Sequence, residues 1–219
     1  MLGRHLHRHA FAAVVLSGAY VEAGDSGLHR VVPGDVLFHG AHERHLDRFG
    51  HGGSDVLVLP LSETWQGAAH ARVVDPDRIV RLAEHDVGHA VAELLHAPTP
   101  ATRTTNDWPA LLARALLDDP DLSLQQWGET HGLHRGSMSR GFRRVFELSP
   151  RSFRLHARTH AALRLVRGTT MTGASIAHAC GFADQAHMSR ALRAMTGLPP
   201  SQLRSTRTPR PRERPQPAA

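Results

Sequence analysis

The chain has 219 residues, 41% hydrophobic and 21% charged, a balance that excludes a disordered polymer and fits one large or two modest domains. A single cysteine, Cys180, excludes an intramolecular disulfide framework and fits a reducing compartment. The charge is divided: residues 1–120 hold 10 Arg and 15 acidic residues, residues 121–219 hold 16 Arg and 5 acidic residues, and lysine is absent.

From the N-terminus, the first apolar run is Ala10 to Leu16, too short to span a bilayer. The histidines before it are not the make-up of a secretory leader, so a cytoplasmic chain with no membrane partner is expected. Short strands are expected over Ala10–Leu16, Ala19–Glu22, Leu28–Val32, Val36–His39 and Asp55–Leu61, with turns at Ser17-Gly18 and across Gly50 to Gly53. Their close spacing argues for a small antiparallel barrel or sandwich. From Pro76 the period becomes helical: Ile79, Leu82, Ala83, Ala90, Val91, Leu94 and Leu95 form an apolar stripe with a break near Gly88. That stripe suits either a homodimer contact or packing onto its own barrel. A polar linker follows from Ala97 to Asp107, then a helix opening at Trp108 with Asp107 as its cap. Helices continue to about Leu203, and the Pro- and Arg-rich residues beyond read as a disordered basic tail.

The back half repeats itself at a separation of about 50 residues. Trp127, Gly128, His131, Gly132 and Leu133 align with Ile176, Ala177, Cys180, Gly181 and Phe182. Met138-Ser139-Arg140 then aligns with Met188-Ser189-Arg190, and Leu148-Ser149-Pro150 with Leu198-Pro199-Pro200. Each unit reads as helix, tight turn, helix. An apolar residue followed by a small one lets two helices approach, and a glycine at the turn accepts the left-handed conformation that ends the first helix. The stripes Met138, Phe142, Val145 and Met188, Leu192, Met195 bury one face of each second helix and leave its polar start exposed. A pair of plain helical hairpins would show the same periodicity. Two copies in an Arg-rich half favour helix-turn-helix units, whose second helix presents its first residues to the major groove.

The stretch Gly181-Phe182-Ala183-Asp184-Gln185-Ala186-His187-Met188-Ser189-Arg190, followed by Gly197-Leu198-Pro199-Pro200, resembles the C-terminal domain of AraC/XylS transcriptional regulators over roughly residues 108–204. The resemblance implies two helix-turn-helix units joined by a long helix, here Pro150 to Val166. Met188 and Leu192 stand where that family usually has Phe. Base-edge contacts are expected from His134, Arg135, Ser137 and Ser139 in the first unit and from Asp184, Gln185 and His187 in the second. Arg135 is suited to guanine, Gln185 to adenine, and Asp184 either to cytosine or to capping the helix. Phosphate contacts are assigned to Arg140, Arg143, Arg144, Arg190 and Arg193, with internal pairing as the alternative for Arg140 and Arg190. Gly136 and Gly141 weaken the first recognition helix, each by roughly 0.5–1 kcal/mol relative to Ala, so the second unit should carry more of the sequence preference.

The front half holds the other pattern. His5, His7 and His9 alternate, and Gly34-Asp35-Val36-Leu37-Phe38-His39 with His42 and His45 resembles the second motif of a small cupin barrel, the sensor half of many AraC-type regulators. A cupin metal site takes a His-x-His pair, a Glu and a later His. By that resemblance His5, His7 and His45 fill three roles, Phe11 stands where the Glu would be, and His39 or His42 can supply the missing ligand. Neutral imidazoles suit a divalent transition metal such as Zn, Ni, Fe or Cu. The competing reading makes them solvent-facing or pocket-lining histidines without metal.

The expected fold is therefore α+β. A cupin-like sensor domain at 1–75 precedes a helical connector and linker at 76–104. A tandem helix-turn-helix domain follows at 105–204, with the disordered basic tail at 205–219. The expected function is that of a sequence-specific transcription regulator, not an enzyme, reading two adjacent major-groove segments under control of an effector or metal. Its partners would be promoter DNA, RNA polymerase, a small-molecule effector and a second copy of the chain. The alternatives are a cupin-type metal-dependent enzyme with a helical scaffold and an architectural DNA binder without promoter specificity. Cys180 reads as a small buried hydrophobe.

Overall fold

The computed structural model describes residues 2–63, 65, 67–96, 99–101, 107–119 and 121–205. Most of the expected linker, and the tail beyond Ser205, lie outside the described residues. What is described divides into two compact units, one ending at His160 and one starting at Ala161.

The first unit begins with an antiparallel sheet of β1 (Leu2–Leu6), β2 (Phe11–Gly24), β3 (Gly27–Val31), β4 (Asp35–His39), β5 (Arg44–Pro60), β6 (His70–Arg72) and β7 (Thr99–Pro100). The strand order is β1-β5-β2-β4-β6-β7, with β3 also on β2, so the sheet does not close into the expected barrel. Two corrections follow. The expected strands at Ala10–Leu16 and Ala19–Glu22 are one strand, β2, and Asp55–Leu61 is the end of a longer β5 that starts at Arg44. Ser17-Gly18 is not a turn. The register of β2 against β5 slips between Val15 and Ser17 and again between Gly18 and Tyr20, so small residues mark bulges that bend a continuous pair.

Two helices, α1 (Pro76–His85) and α2 (Val87–His96), follow the sheet. Asp75 caps α1 by accepting from the Arg78 backbone N–H at 2.8 Å, and Pro76 occupies the first turn, where its missing N–H costs nothing. The chain leaves helical geometry at Asp86, close to the break expected at Gly88. Ile79, Ala90 and Leu94 are buried against Ala12, Val14, Val36, Phe38 and Leu59, so the apolar stripe covers the protein's own sheet.

The helical half comprises α3 (Trp108–Asp118), α4 (Leu124–Thr130), α5 (Arg135–Phe146), α6 (Pro150–Gly168), α7 (Gly173–Ala179), α8 (Gln185–Thr196) and α9 (Pro200–Ser205). Asp107 is at the N-cap of α3 but makes no side-chain capping bond; its carbonyl receives Ala110 and Leu111 instead. In the first unit one core joins sheet and helices: Ala23 and Leu46 pack with Leu112, Leu116, Trp127, Phe142, Phe146 and Phe153. Burying each large side chain there contributes roughly 1.5–3 kcal/mol relative to exposure. The second unit has its own core of Val166, Ile176, Ala177, Phe182, Met188, Leu192 and Leu203, with Cys180 buried among them as expected. Among the described residues no helix is long and apolar enough to cross a membrane.

Candidate nucleic-acid interface

The sequence repeat is a repeat of hydrogen bonds. After α4, the His131 N–H reaches the Trp127 carbonyl at 3.2 Å and the Leu133 N–H reaches Gly128 at 2.8 Å. After α7, the Cys180 N–H reaches Ile176 at 3.0 Å and the Phe182 N–H reaches Ala177 at 2.9 Å. Gly132 and Gly181 take φ of +65° and +70°, the left-handed value that lets the chain leave the helix while those carbonyls stay satisfied. Gly128 is small for a physical reason, since a Cβ there would meet the Leu133 carbonyl oxygen at 2.9 Å.

The second helix of each unit buries its stripe and exposes its start. In α5, Met138 and Phe142 are buried while His134, Arg135 and Ser137 are exposed and Ser139 is half-buried. In α8, Met188, Leu192 and Met195 are buried, Asp184 and Gln185 are exposed, and His187 is half-buried with its ring edge-on to Phe182. Asp184 caps α8 by accepting from the His187 backbone N–H at 2.6 Å, the capping role among the two expected for it. Arg140, Arg143, Arg144, Arg190 and Arg193 are all exposed. Each recognition helix thus offers hydrogen-bonding side chains and guanidinium groups to solvent, the composition of a surface that reads base edges and grips phosphates.

The sheet brings together part of the expected histidine set. One ligand atom from each of His5, His7 and His45 lies within 4.8 Å of the others. A second group shares His45: Glu22, His39 and His45, all buried and also within 4.8 Å. His9, the third of the alternating histidines, points elsewhere and meets Glu63 at 2.9 Å. Phe11 stacks on His39 with ring centroids 4.4 Å apart, so an aromatic ring fills the position where the cupin comparison called for Glu. Burial, then His45 and His7, holds the His39 imidazole well below its usual range, and burial with His5 and His7 takes His45 down to about 3. Both rings are therefore neutral near pH 7, the form that coordinates metals. Burial, with Asp47 and Glu43 nearby, pushes the Glu22 carboxyl well up.

Glu22 was not among the expected ligands, although a signal existed: it is the one charged residue in the 14-residue β2. A second group was equally hidden. Asp25, buried at the end of the β2–β3 hairpin, pairs with Arg4 and accepts from the Arg44 backbone N–H at 3.0 Å, His160 Nε2 at 3.0 Å and His156 Nδ1 at 3.4 Å. Burial alone would raise this carboxyl, but the bonds from His156 and His160 and the charges of His160 and Arg4 outweigh it and hold Asp25 well below the usual range. Beside the sheet, a cavity of about 520 Å³ is lined by His29, His70, Leu111, Arg114 and Leu117.

Residues 127–206 match the family profile described as "Helix-turn-helix domain". No curated protein matches the sequence. Among solved structures, the chain is similar to a probable AraC family transcriptional regulator from Rhodopseudomonas palustris CGA009, at 22% identity over 45% of this chain and 94% of that one, with a TM-score of 0.42. It is also similar to the C-terminal domain of AraT, a response regulator from Geobacillus stearothermophilus, at 20% identity over 52% and 97%, TM-score 0.46. ToxT from Vibrio cholerae is similar at 9% identity over 95% and 96%, TM-score 0.47. The matched profile and the paired recognition helices make this chain a DNA-binding transcription regulator.

Proposed function

We propose that this regulator reads two adjacent major-groove segments through α5 and α8, under the control of an effector held by the N-terminal sheet. The supporting observation is the exposure of polar side chains at the start of both recognition helices above identically bonded turns. Arg135 and Gln185 are the main base readers, helped by His134, Ser137, Ser139 and His187, while Asp184 divides its carboxylate between capping and the groove. The five exposed arginines, Arg140, Arg143, Arg144, Arg190 and Arg193, hold phosphates. In this reading residues 105–204 bind DNA, residues 76–104 connect, and residues 1–75 sense. The cavity lined by His29 and Arg114 falls within the roughly 300–1,000 Å³ range of small-molecule sites, which supports an organic effector there.

Selection of bound duplexes from a random pool by the full chain tests the proposal. The expected outcome is an enriched site with two conserved segments about 10 base pairs apart, more sensitive to substitution under α8 than under α5. A pool with no enriched site, or a selected duplex bound no more tightly than random DNA, overturns it.

A further inference from the structure

We propose that Glu22, His39 and His45 form a binding site for one divalent transition-metal ion, and that occupancy of this site changes DNA affinity through the Asp25 cluster on α6. The inference rests on reading the N-terminal sheet as the sensing half.

Three strands contribute the ligands: Glu22 from β2, His39 from β4 and His45 from β5. Glu22 Oε2 lies 3.5 Å from His39 Nε2 and 3.6 Å from His45 Nδ1, and one ligand atom from each of the three lies within 4.8 Å of the others. Ligands at about 2.0–2.1 Å from a tetrahedral ion sit roughly 3.3–3.4 Å from one another. The two contacts of Glu22 are therefore already close to coordination spacing, and a small approach of the side chains completes the set. They are also short of partners: Glu22 Oε1 and His39 Nε2 are buried without a hydrogen bond. A buried carboxylate oxygen and a buried imidazole nitrogen left unpaired cost free energy, which a shared cation would recover. Outer carboxylates stand behind the imidazoles, Asp47 at 3.7 Å from His45 Nε2 and Glu43 at 3.8 Å from His39 Nδ1, as is usual around metal-bound histidines.

The route to α6 is short. Arg44, whose N–H donates to Asp25, is joined to His45 by one peptide bond, and Glu22 precedes Asp25 by three residues. Asp25 in turn holds His156 and His160 of α6, the helix that leads out of the first recognition unit. Drawing His45 and Glu22 onto an ion shifts the two backbone segments that position the Asp25 carboxylate.

The test uses the full chain, stripped with a chelator and titrated with Co²⁺, then with Zn²⁺ in competition. The expected result is one equivalent of Co²⁺ with the visible absorption of a tetrahedral site, and displacement by Zn²⁺. Glu22→Gln and His39→Asn each weaken binding by about a hundredfold or more, while His9→Gln leaves it unchanged. Ion-dependent thermal stabilisation of the unsubstituted chain supplies a readout should either variant fail to fold. Absence of bound metal overturns the site. Binding lost in His5→Gln or His7→Gln but kept in Glu22→Gln overturns the ligand assignment. The affinity of the stripped and Zn²⁺-loaded chain for its selected duplex should differ at least about fivefold; equal affinities overturn the regulatory role. The metal titration needs no DNA, so a failure to select any duplex sinks the DNA-reading proposal and the regulatory role with it, while the metal site stands or falls on the titration alone.

Discussion

Gly136 and Gly141 share α5, yet replacing each by alanine should move stability in opposite directions. A Cβ on Gly141 would stand 2.3 Å from the Trp108 ring, so the packing of α3 on α5 requires that position to be bare. Gly141→Ala should therefore destabilise by about 1–3 kcal/mol, read as a lower urea midpoint. A Cβ on Gly136 meets only the flexible Arg140 guanidinium, and Gly136→Ala should raise that midpoint by about 0.5–1 kcal/mol. His29 offers a pH-dependent case. Burial first, and the His70 imidazole second, pushes it down to about 4, whereas in the unfolded chain it titrates near 6.5. The folded state thus binds fewer protons between these values. Its contribution is complete above pH 6.5 and is lost as pH falls toward 4. Unfolding midpoints between pH 7 and pH 4.5 should drop less in His29→Gln than in the unsubstituted chain.

Between elements, the Asp25 cluster ties β1, the β2–β3 hairpin, the start of β5 and α6 together. Asp25→Ala removes the charge that Arg4 and the two histidines face, and should cost about 3–5 kcal/mol in chemical unfolding. The sequence did not disclose this cluster. Asp25 lies in Gly24-Asp25-Ser26-Gly27, which has the make-up of a solvated turn, and its partners on α6 are 131 and 135 residues away. The β2 bulges were hidden for a related reason, because Ser17-Gly18 has the composition of a turn whether or not the ladder continues through it. Helical elements were far more legible. Their bonds are local, so the spacing of Trp127, Gly132 and Met138, and of Ile176, Gly181 and Met188, already carried the turn that the structure contains. Capping is local too. Asp184→Ala should loosen the first turn of α8 and cost about 0.5–2 kcal/mol of thermal stability.

For the whole molecule, the Arg-rich half predicts binding that weakens steeply with salt. Arg193→Ala should lower affinity for every duplex alike and reduce the slope of log affinity against log salt by about 1. A loss confined to one sequence would instead mark Arg193 as a base reader. The paired recognition helices were legible in the sequence and the histidine gathering in part, since His5, His7 and His45 do meet. Glu22 and the docking of the sheet were not, because both depend on contacts between distant segments.

That docking has a practical consequence. Arg48 Nη2 donates to the Arg144 and Val145 carbonyls at 2.9 and 2.8 Å, and Arg4 Nη1 donates to Phe146 at 3.4 Å, so strand residues finish the last turn of α5. Ala23 and Leu46 cover the aromatic cluster of Phe142, Phe146 and Phe153 beneath it. A fragment cut just before Asp107 would bare those rings and leave three carbonyls to water. Such an excised piece should fray at α5 and self-associate in sedimentation, while its α7–α8 pair, with an apolar centre of its own, keeps its helicity.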